Sequence, residues 1–246
     1  MYTDNDGQAS APLTTKAFGA AAERCGATIR TGVEVAAMVR EGGRVTGVET
    51  SIGPIACDWL VLAAGAWSGS LTHQLDVSLP LTTMALQMMA VGPHVPILAP
   101  TVGAVGRKLS LKQVPNGEFV IGGGWPGDLD ACGRRGTTRL ASIRGSIEHS
   151  TAILPLLAGL PLVRTWIGLE ALAIDEVPIL GPLPGIDNVT VATGFSGHGF
   201  ALSPVVGQLL SELILDGAPS IPLDAFGYDR FANLDPATPF PAWQAG

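Results

Sequence analysis

The order of hydrophobic and polar residues predicts a helix followed by a β-hairpin near the start of this chain. Residues 12–25 carry apolar side chains at helical spacing between a proline and a glycine, a pattern typical of a surface helix. Residues 33–40 and 44–51 alternate between apolar and polar positions on either side of Gly42-Gly43. Two alternating runs joined by a Gly-Gly pair predict an antiparallel hairpin.

The residues after the hairpin predict a strand that enters a glycine turn. A turn is expected at Gly53-Pro54, and Ile55–Ala63 follows it with a mostly apolar second half. Such a run is typical of a single strand buried on both faces. It leads into the segment Ala64–Ser68, and a short helix is predicted over 68–75.

A second buried strand with a glycine turn lies near the end of the chain. Val189–Ala192 is apolar and is followed by the glycine-rich segment Thr193–Gly199. A helix with a wide apolar stripe is predicted from there to Asp216. Pro204 leaves two alternatives, because the helix either begins in the turn or begins at Pro204 with Ser203 as its cap.

The middle of the chain predicts an antiparallel sheet and one helix. Strands are expected over 80–91, 107–114 and 117–123, with a hairpin at Asn116-Gly117. A helix is predicted over 137–154, with Ile143, Ile147, Thr151 and Leu154 on one face. Residues 161–192 predict short strands with turns at Gly181-Pro182 and Pro184-Gly185.

Composition and charge exclude several classes of protein. Of 246 residues, 47% are hydrophobic and 14% charged, the opposite of the balance found in disordered chains. The net charge of −7 and the lack of a Lys/Arg cluster argue against nucleic-acid binding. The three cysteines and four histidines show no metal-ligand spacing. A polar first segment and the lack of a long apolar run predict a cytoplasmic protein without a transmembrane span.

The two strand–turn–helix segments are candidate ligand sites. A glycine turn lets a ligand approach the backbone, and N–H groups at a helix start favour negative charge. One such segment is also compatible with ordinary α/β connectivity. Two in one chain, with a β-meander before the first, form a more specific pattern.

Four stretches in this order carry a resemblance to a known family: DGQASAPLTTKAFGAAAERCGATIRTGVEV, GPIACDWLVLAAGAWS, RTWIGLEALAIDEVPILGPLPG and NVTVATGFSGHGFALSPVVGQLLSELI. They resemble the FAD-dependent D-amino acid oxidase, glycine oxidase and sarcosine oxidase family over residues 4–232. LKQVPNGEFVIGGG and GLEALAIDEVPILG look closest to β subunits of heteromeric amine dehydrogenases, such as opine oxidase, hydrogen cyanide synthase and D-hydroxyproline dehydrogenase.

The resemblance implies a mixed α+β and α/β fold in two parts. Residues 1–78 and 161–230 would form a partial, glutathione-reductase-like FAD-binding domain with a β-meander. Residues 79–160 would form an antiparallel substrate domain, and residues 231–246 a tail. The sequence departs from the family in having no G-x-G-x-x-G turn that opens a βαβ unit. It is therefore expected to be a fragment, a subunit completed by a partner that carries this unit, or a decayed copy.

The resemblance also implies FAD contacts. They fall at Val35, Ala63, Ala64, Gly65, Trp67, Gly194, Phe195, Ser196, Gly197, His198, Gly199, Phe200 and Ala201. For Val35 the spacing alone favours a core role, and for Trp67 a packing role is equally open. Backbone N–H groups of the second turn would stabilise the negative charge of reduced flavin.

Glu170 is the most informative candidate for the substrate pocket. It stands where simple amino acid oxidases of the family carry an arginine that binds the substrate carboxylate. A glutamate there implies an amine or a guanidinium as its ligand, although a surface turn residue remains an alternative. Arg107, Lys112 and Arg164 are the other candidates to face a substrate acid.

The predicted function is oxidation of the C–N bond of an amino acid or secondary amine, by hydride transfer to flavin. The electron acceptor is left open between oxygen, a quinone and a partner subunit. The alternative prediction is a non-catalytic binding or assembly module that does not hold FAD by itself.

Overall fold

The computed structural model describes residues 7–235 and 237–240, which form two compact units. The antiparallel unit contains Met84–Leu169 and the described residues up to Gly26. The glycine-turn unit contains Ala27–Thr83 and the described residues from Glu170 onward. The predicted mixed α/β fold is confirmed.

The helices are α1 Ala11–Arg24, α2 Ser68–His73, α3 Leu140–Thr151 and α4 Gly199–Leu215. The strands of the first half are β1 Val35–Glu41, β2 Arg44–Thr50, β3 Gly53–Ala56, β4 Leu60–Leu62, β5 Leu81–Val91, β6 Val102–Gly103 and β7 Ser110–Gln113. Those of the second half are β8 Phe119–Pro126, β9 Asp128–Leu129, β10 Gly136–Thr137, β11 Leu162–Ala173, β12 Ile179–Pro182 and β13 Val189–Thr193.

The antiparallel unit is built on a five-stranded sheet with the order β11-β5-β8-β7-β6. Its core is formed by apolar side chains of β5, β7 and β8, among them Met89, Leu111 and Phe119. The hairpin predicted at Asn116-Gly117 joins β7 to β8, and Gly117 takes a φ of +85° there. Helix α1 clusters with this unit and has no buried residue, whereas the resemblance predicts it in one domain with residues 27–78.

Helix α3 turns a different face inward from the one that its apolar pattern predicts. The buried residues are Ser142, Ser146 and Ser150, and Ile147 is exposed. A Cβ at Gly145 would overlap the ring of Trp125, which shows that the helix lies close to β8. Small side chains are needed at such a close approach, so the serine face of the helix is buried.

In the glycine-turn unit, β1, β2 and β3 form the expected β-meander. Two details of the prediction are wrong. The second turn lies at residues 51–52, and Gly53-Pro54 belongs to β3, an edge strand in which proline is tolerated. The single buried strand predicted over 55–63 is two strands, because the chain leaves the meander after Ala56 and enters a second sheet at Leu60.

That second sheet has the order β12-β13-β4, with β13 antiparallel to β12 and parallel to β4. All five residues of β13 are buried, as predicted for this strand. The turn predicted at Gly181-Pro182 is wrong, because both residues lie in β12. Residues 162–173, predicted as short strands, form the single strand β11.

Asn188 connects the meander to the second sheet. Its side-chain Oδ1 accepts the Val45 N–H at 2.9 Å, and its Nδ2 donates to the Val45 carbonyl at 2.7 Å and to the Asp58 carbonyl at 2.8 Å. Asn188 is 1% exposed, and its amide supplies the hydrogen bonds that a neighbouring strand would otherwise give to the Val45 backbone.

The end of the described chain packs on the glycine-turn unit through two 3₁₀ turns, Asp224–Phe226 and Tyr228–Phe231. Pro236 and residues 241–246 of the predicted tail lie outside the described residues. Within the described part, none of the helices combines the length and apolar character needed to cross a bilayer.

Candidate functional site

The two glycine turns lie together at one edge of the β12-β13-β4 sheet. Strand β13 runs parallel to β4, so both strands end at the same edge of the sheet. The Thr193 hydroxyl at the end of β13 donates a 3.1 Å hydrogen bond to the Gly65 carbonyl in the turn after β4. The loops that follow the carboxyl ends of parallel strands are a common location for ligand sites.

The first turn leaves space in front of its backbone. Gly65 has a φ of +53°, and a Cβ added there would meet no atom within 4 Å. Ala63 is exposed, Ala64 is partly buried, and Trp67 keeps 42% of its surface exposed. The Ser68 hydroxyl behind them is buried and has no hydrogen-bond partner among the described residues.

The second turn is held in an unusual backbone conformation. Gly194, Ser196 and Gly197 have φ values of +69°, +50° and +88°. A Cβ on Gly194 would lie 2.9 Å from Leu81 Cδ2, so only glycine fits at this position. Phe195 packs into the apolar cluster beneath α4.

Helix α4 begins at Gly199, which decides between the two predicted starts. Pro204 lies inside the helix, where its missing N–H leaves the Phe200 carbonyl without its usual partner. The Ser203 hydroxyl donates to that carbonyl at 3.0 Å. The start at Gly199 places the helix N-terminus directly at the turn.

The first turn of α4 presents unpaired donors. The Leu202 N–H bonds the His198 carbonyl, and no side chain caps the helix. The N–H groups of Gly199, Phe200 and Ala201 precede the first helical hydrogen bond and therefore remain available. His198 and Phe200 are exposed, the latter to 48%. The dipole of a 17-residue helix adds to the preference of these donors for negative charge.

Glu170 lies at the second turn, in the same unit. Its Oε1 accepts the Gly197 N–H at 2.9 Å, so one of the N–H groups expected to face a ligand is already bonded. Its Oε2 has no partner among the described residues. The Glu170 side chain is partly buried and lies near the end of strand β11.

Asp175 follows β11 and binds Arg230 through two oxygens, at 2.8 and 3.2 Å. Burial disfavours the charged carboxylate, but this is outweighed by hydrogen bonds from Arg230 and the Val177 N–H and by the charge of Arg230. The pKa of Asp175 is therefore lowered. This pair fastens the last 3₁₀ turn to the loop after β11.

The cationic candidates for the substrate pocket all lie in the antiparallel unit. Arg164 is engaged by Glu118 at 2.7 Å and stacks on Trp166. Lys112 donates to the Ala9 carbonyl at 3.1 Å. Arg107 is exposed, and its side chain makes no ion pair within residues 7–235 and 237–240.

Val35 begins β1 and is 39% exposed. The neighbouring backbone is fixed by Gln74, which accepts the Met38 N–H at 3.3 Å and donates to the Ala36 carbonyl at 3.2 Å. Gln74 directly follows α2, the helix after the first glycine turn. The strand that begins with Val35, one of the predicted FAD contacts, is therefore joined to that turn through one short helix.

Metal and thiol chemistry receive no support from the described residues. No group of three or more His, Cys, Asp or Glu side chains there is arranged to hold a metal ion. The three cysteines are unpaired. Burial, with the nearby charge of Asp58, raises the pKa of the Cys57 thiol and so disfavours its reactive thiolate.

Sequence reasoning missed three residues that organise the site: Asn188, Gln74 and Arg230. Each acts on a partner at least 36 positions away in the chain. Asn188 offered one signal, because an asparagine between a Pro-Gly turn and a buried strand is placed to bond nearby backbone.

Comparison with known proteins gives consistent matches. The family described as FAD dependent oxidoreductase matches residues 1–213. Glycine oxidase of Pseudomonas putida is 31% identical over 194 residues, which are 79% of this chain and 52% of that protein. Sarcosine oxidase subunit beta of Rhizobium meliloti is 31% identical over 214 residues, 87% of this chain and 50% of that protein. The crystal structure of L-proline dehydrogenase from P. horikoshii superposes with a TM-score of 0.82 at 27% identity, covering 89% of this chain and 59% of that one.

Proposed function

Because this chain belongs to the family of FAD-dependent oxidoreductases, we propose that it binds FAD at the two glycine turns and takes part in oxidising a C–N bond. The observation that carries the proposal is the hydrogen bond from Thr193 to Gly65, which joins the turns at one sheet edge. The chain spans about half the length of the curated relatives it matches, so the activity of the whole protein is part of the proposal.

The described residues fit part of the FAD molecule. The open space in front of Gly65 and the unpaired N–H groups at the start of α4 suit a group that is flat and carries negative charge. The glycine-rich βαβ turn that binds the pyrophosphate in dinucleotide folds has no counterpart in the sequence. A second segment is therefore needed to complete the site.

When bound, FAD supplies the redox chemistry by accepting a hydride from the carbon that bears the amine. The residues of this chain bind and orient. The backbone of Ala64 and Gly65 would hold the cofactor at the first turn, and the N–H groups of Gly199–Ala201 would stabilise developing negative charge. Trp67 and Phe200, which are partly exposed, shield the site from water. If the substrate amine binds unprotonated, no side-chain base is required.

The substrate we propose is a secondary amine or a cationic amino acid derivative. Oε1 of Glu170 is bonded to the Gly197 N–H, whereas Oε2 is available to accept a hydrogen bond. A carboxylate repels a substrate acid and attracts an amine or a guanidinium. Replacing Glu170 by arginine should raise activity on simple amino acids. Unchanged specificity would mean that Oε2 does not face the substrate.

The unpaired edge of β4 is the proposed position of the completing segment. In the part of the chain that the structure describes, β4 pairs only with β13. Val61 on this edge strand is 42% exposed. An open strand edge with an exposed apolar side chain is typical of an interface. We place there a segment that carries a G-x-G-x-x-G turn.

The same edge favours a second candidate function. If the chain served only as a binding or assembly module, the open β4 edge would receive a partner and no FAD would be held. The two functions differ in whether flavin is bound once the edge is paired.

Flavin binding tests the proposal. The full chain should hold little flavin by itself and should gain flavin absorbance when co-expressed with a polypeptide that carries the G-x-G-x-x-G unit. Gly65→Val should abolish that gain, because the new side chain enters the open space and is strained at a φ of +53°. Gly159→Ala, at a position with free space and an ordinary φ, is the matched control. Absence of flavin from every such complex would leave the assembly module as the function.

A further inference from the structure

We propose that Glu170 is a positioning residue for the second glycine turn, whose charge also sets the preference of the turn between oxidised and reduced flavin. The flavin part of this inference rests on the proposed function. The part that concerns the turn rests on hydrogen bonds within one unit.

The end of strand β11 holds the turn through three hydrogen bonds. The Ser196 N–H donates to the Ala171 carbonyl at 3.3 Å, and the Ala173 N–H donates to the Ser196 hydroxyl at 3.2 Å. The third bond, from the Gly197 N–H to Glu170 Oε1, is the shortest at 2.9 Å. Only the third involves a charged group, and bonds of this kind are the stronger ones.

These bonds hold a conformation that the turn would not adopt alone. Ser196 has a φ of +50°, a region that non-glycine residues rarely occupy and that costs about 1 kcal/mol or more. Gly197 follows at +88°, and α4 starts two residues later at Gly199. Fixing Gly197 therefore fixes the direction in which the first N–H groups of α4 point.

The Glu170 carboxylate has no ion-pair partner among the described residues. Among the described residues of this unit, Arg230 pairs with Asp175 and Arg40 with Asp76, and none pairs with Glu170. An anion that arrives at the turn meets both the donors of α4 and the negative charge of Glu170. Oxidised flavin is neutral and its reduced form is anionic, so Glu170 disfavours the reduced form relative to the oxidised one.

Two substitutions of Glu170, by glutamine and by alanine, separate its positioning role from its electrostatic role. Glu170→Gln keeps an oxygen that can accept the Gly197 N–H but removes the charge. Glu170→Ala removes both. Ser196→Ala breaks a different bond to β11 and leaves the charge, and Glu49→Gln removes an equal charge from an exposed position of β2.

The experiment measures two quantities on the complete flavin-bearing complex of the full chain. Redox titration followed by flavin absorbance gives the relative affinity for reduced and oxidised FAD. Amide hydrogen exchange of residues 195–199 reports how firmly the turn is held.

For Glu170→Gln we expect wild-type exchange and a roughly 10-fold shift of relative affinity toward reduced FAD, equal to about 30 mV for a two-electron couple. Glu170→Ala should show the same shift and at least about 10-fold faster exchange of the turn. Ser196→Ala keeps the charge, so it should speed exchange without the shift toward reduced FAD, and Glu49→Gln should change neither.

An unchanged potential in Glu170→Gln would overturn the electrostatic role, and unchanged exchange in Glu170→Ala would overturn the positioning role. If the wild-type chain never holds flavin, the proposed function fails. The exchange of Glu170→Ala still decides the positioning role in that case, so the two failures are distinguishable.

Discussion

The hydroxyl of Thr193 reaches the carbonyl of Gly65 across 3.1 Å, although the two residues are 128 positions apart in the chain. Thr193 ends the fully buried strand β13, and Gly65 lies in the turn after β4. Parallel pairing of the two strands brings both turns to one edge, and this bond fixes them to each other. The candidate site depends on that contact.

Thr193→Val should weaken both the fold and cofactor binding. The substitution keeps the shape of the side chain but leaves the Gly65 carbonyl without its donor, at an expected cost of about 1 kcal/mol. Urea unfolding and FAD titration of the complex measure the two effects. Thr190→Val is the control, because Thr190 accepts the Trp59 indole N–H on the same strand, away from the turn. Equal FAD binding by both variants would contradict the role of the Thr193–Gly65 hydrogen bond in cofactor binding.

Pro204→Ala should stabilise the chain, because the new N–H can bond the Phe200 carbonyl inside α4. The expected gain is about 1–3 kcal/mol in the free energy of unfolding, since proline in a helix interior is costly. Pro155→Ala is the matched control, because Pro155 lies in the first turn of its 3₁₀ helix, where proline is favourable. A loss of stability in Pro204→Ala would instead indicate that the helix begins at Pro204.

Asn188→Leu should be among the more damaging single substitutions. It leaves the Val45 N–H and carbonyl buried without partners, and each such group costs about 1–3 kcal/mol. Chemical denaturation should show the loss, and the exposed Asn233→Leu provides the comparison. Equal stability of the two variants would contradict the proposed role of Asn188 in joining the meander to the second sheet.

The pair of Asp175 and Arg230 should make stability depend on pH in the acid range. The pKa of Asp175 is lower in the folded chain than in the unfolded one, whose ordinary value is about 3.9. Its contribution is therefore present above about pH 4 and is lost as the pH falls through the folded pKa.

In the wild-type chain, loss of this contribution lowers the melting temperature between pH 7 and pH 3. Arg230→Met should make that fall in melting temperature smaller. Arg40→Met is the control, because Arg40 meets Asp76 at 3.6 Å and the Asp76 side chain is 93% exposed. Such an exposed pair contributes about 0–1 kcal/mol. Identical pH profiles of Arg230→Met and the wild-type chain would contradict a stabilising pair.

The sequence by itself determined the elements whose signals are local. Both strand–turn–helix segments, the β-meander and the Asn116-Gly117 hairpin follow from hydrophobic period and turn chemistry within a few residues. The family could be identified because the motifs that carry it are short stretches in a fixed order.

Only the tertiary structure decided which faces and partners these elements take. The serine face of α3 is buried because Gly145 lies against Trp125, a contact that no helical period encodes. Asn188 acts 143 positions from Val45, and Glu170 reaches the turn at Gly197 from another strand. Hydrogen bonds between distant segments depend on how the chain folds back on itself, so local sequence patterns do not contain them.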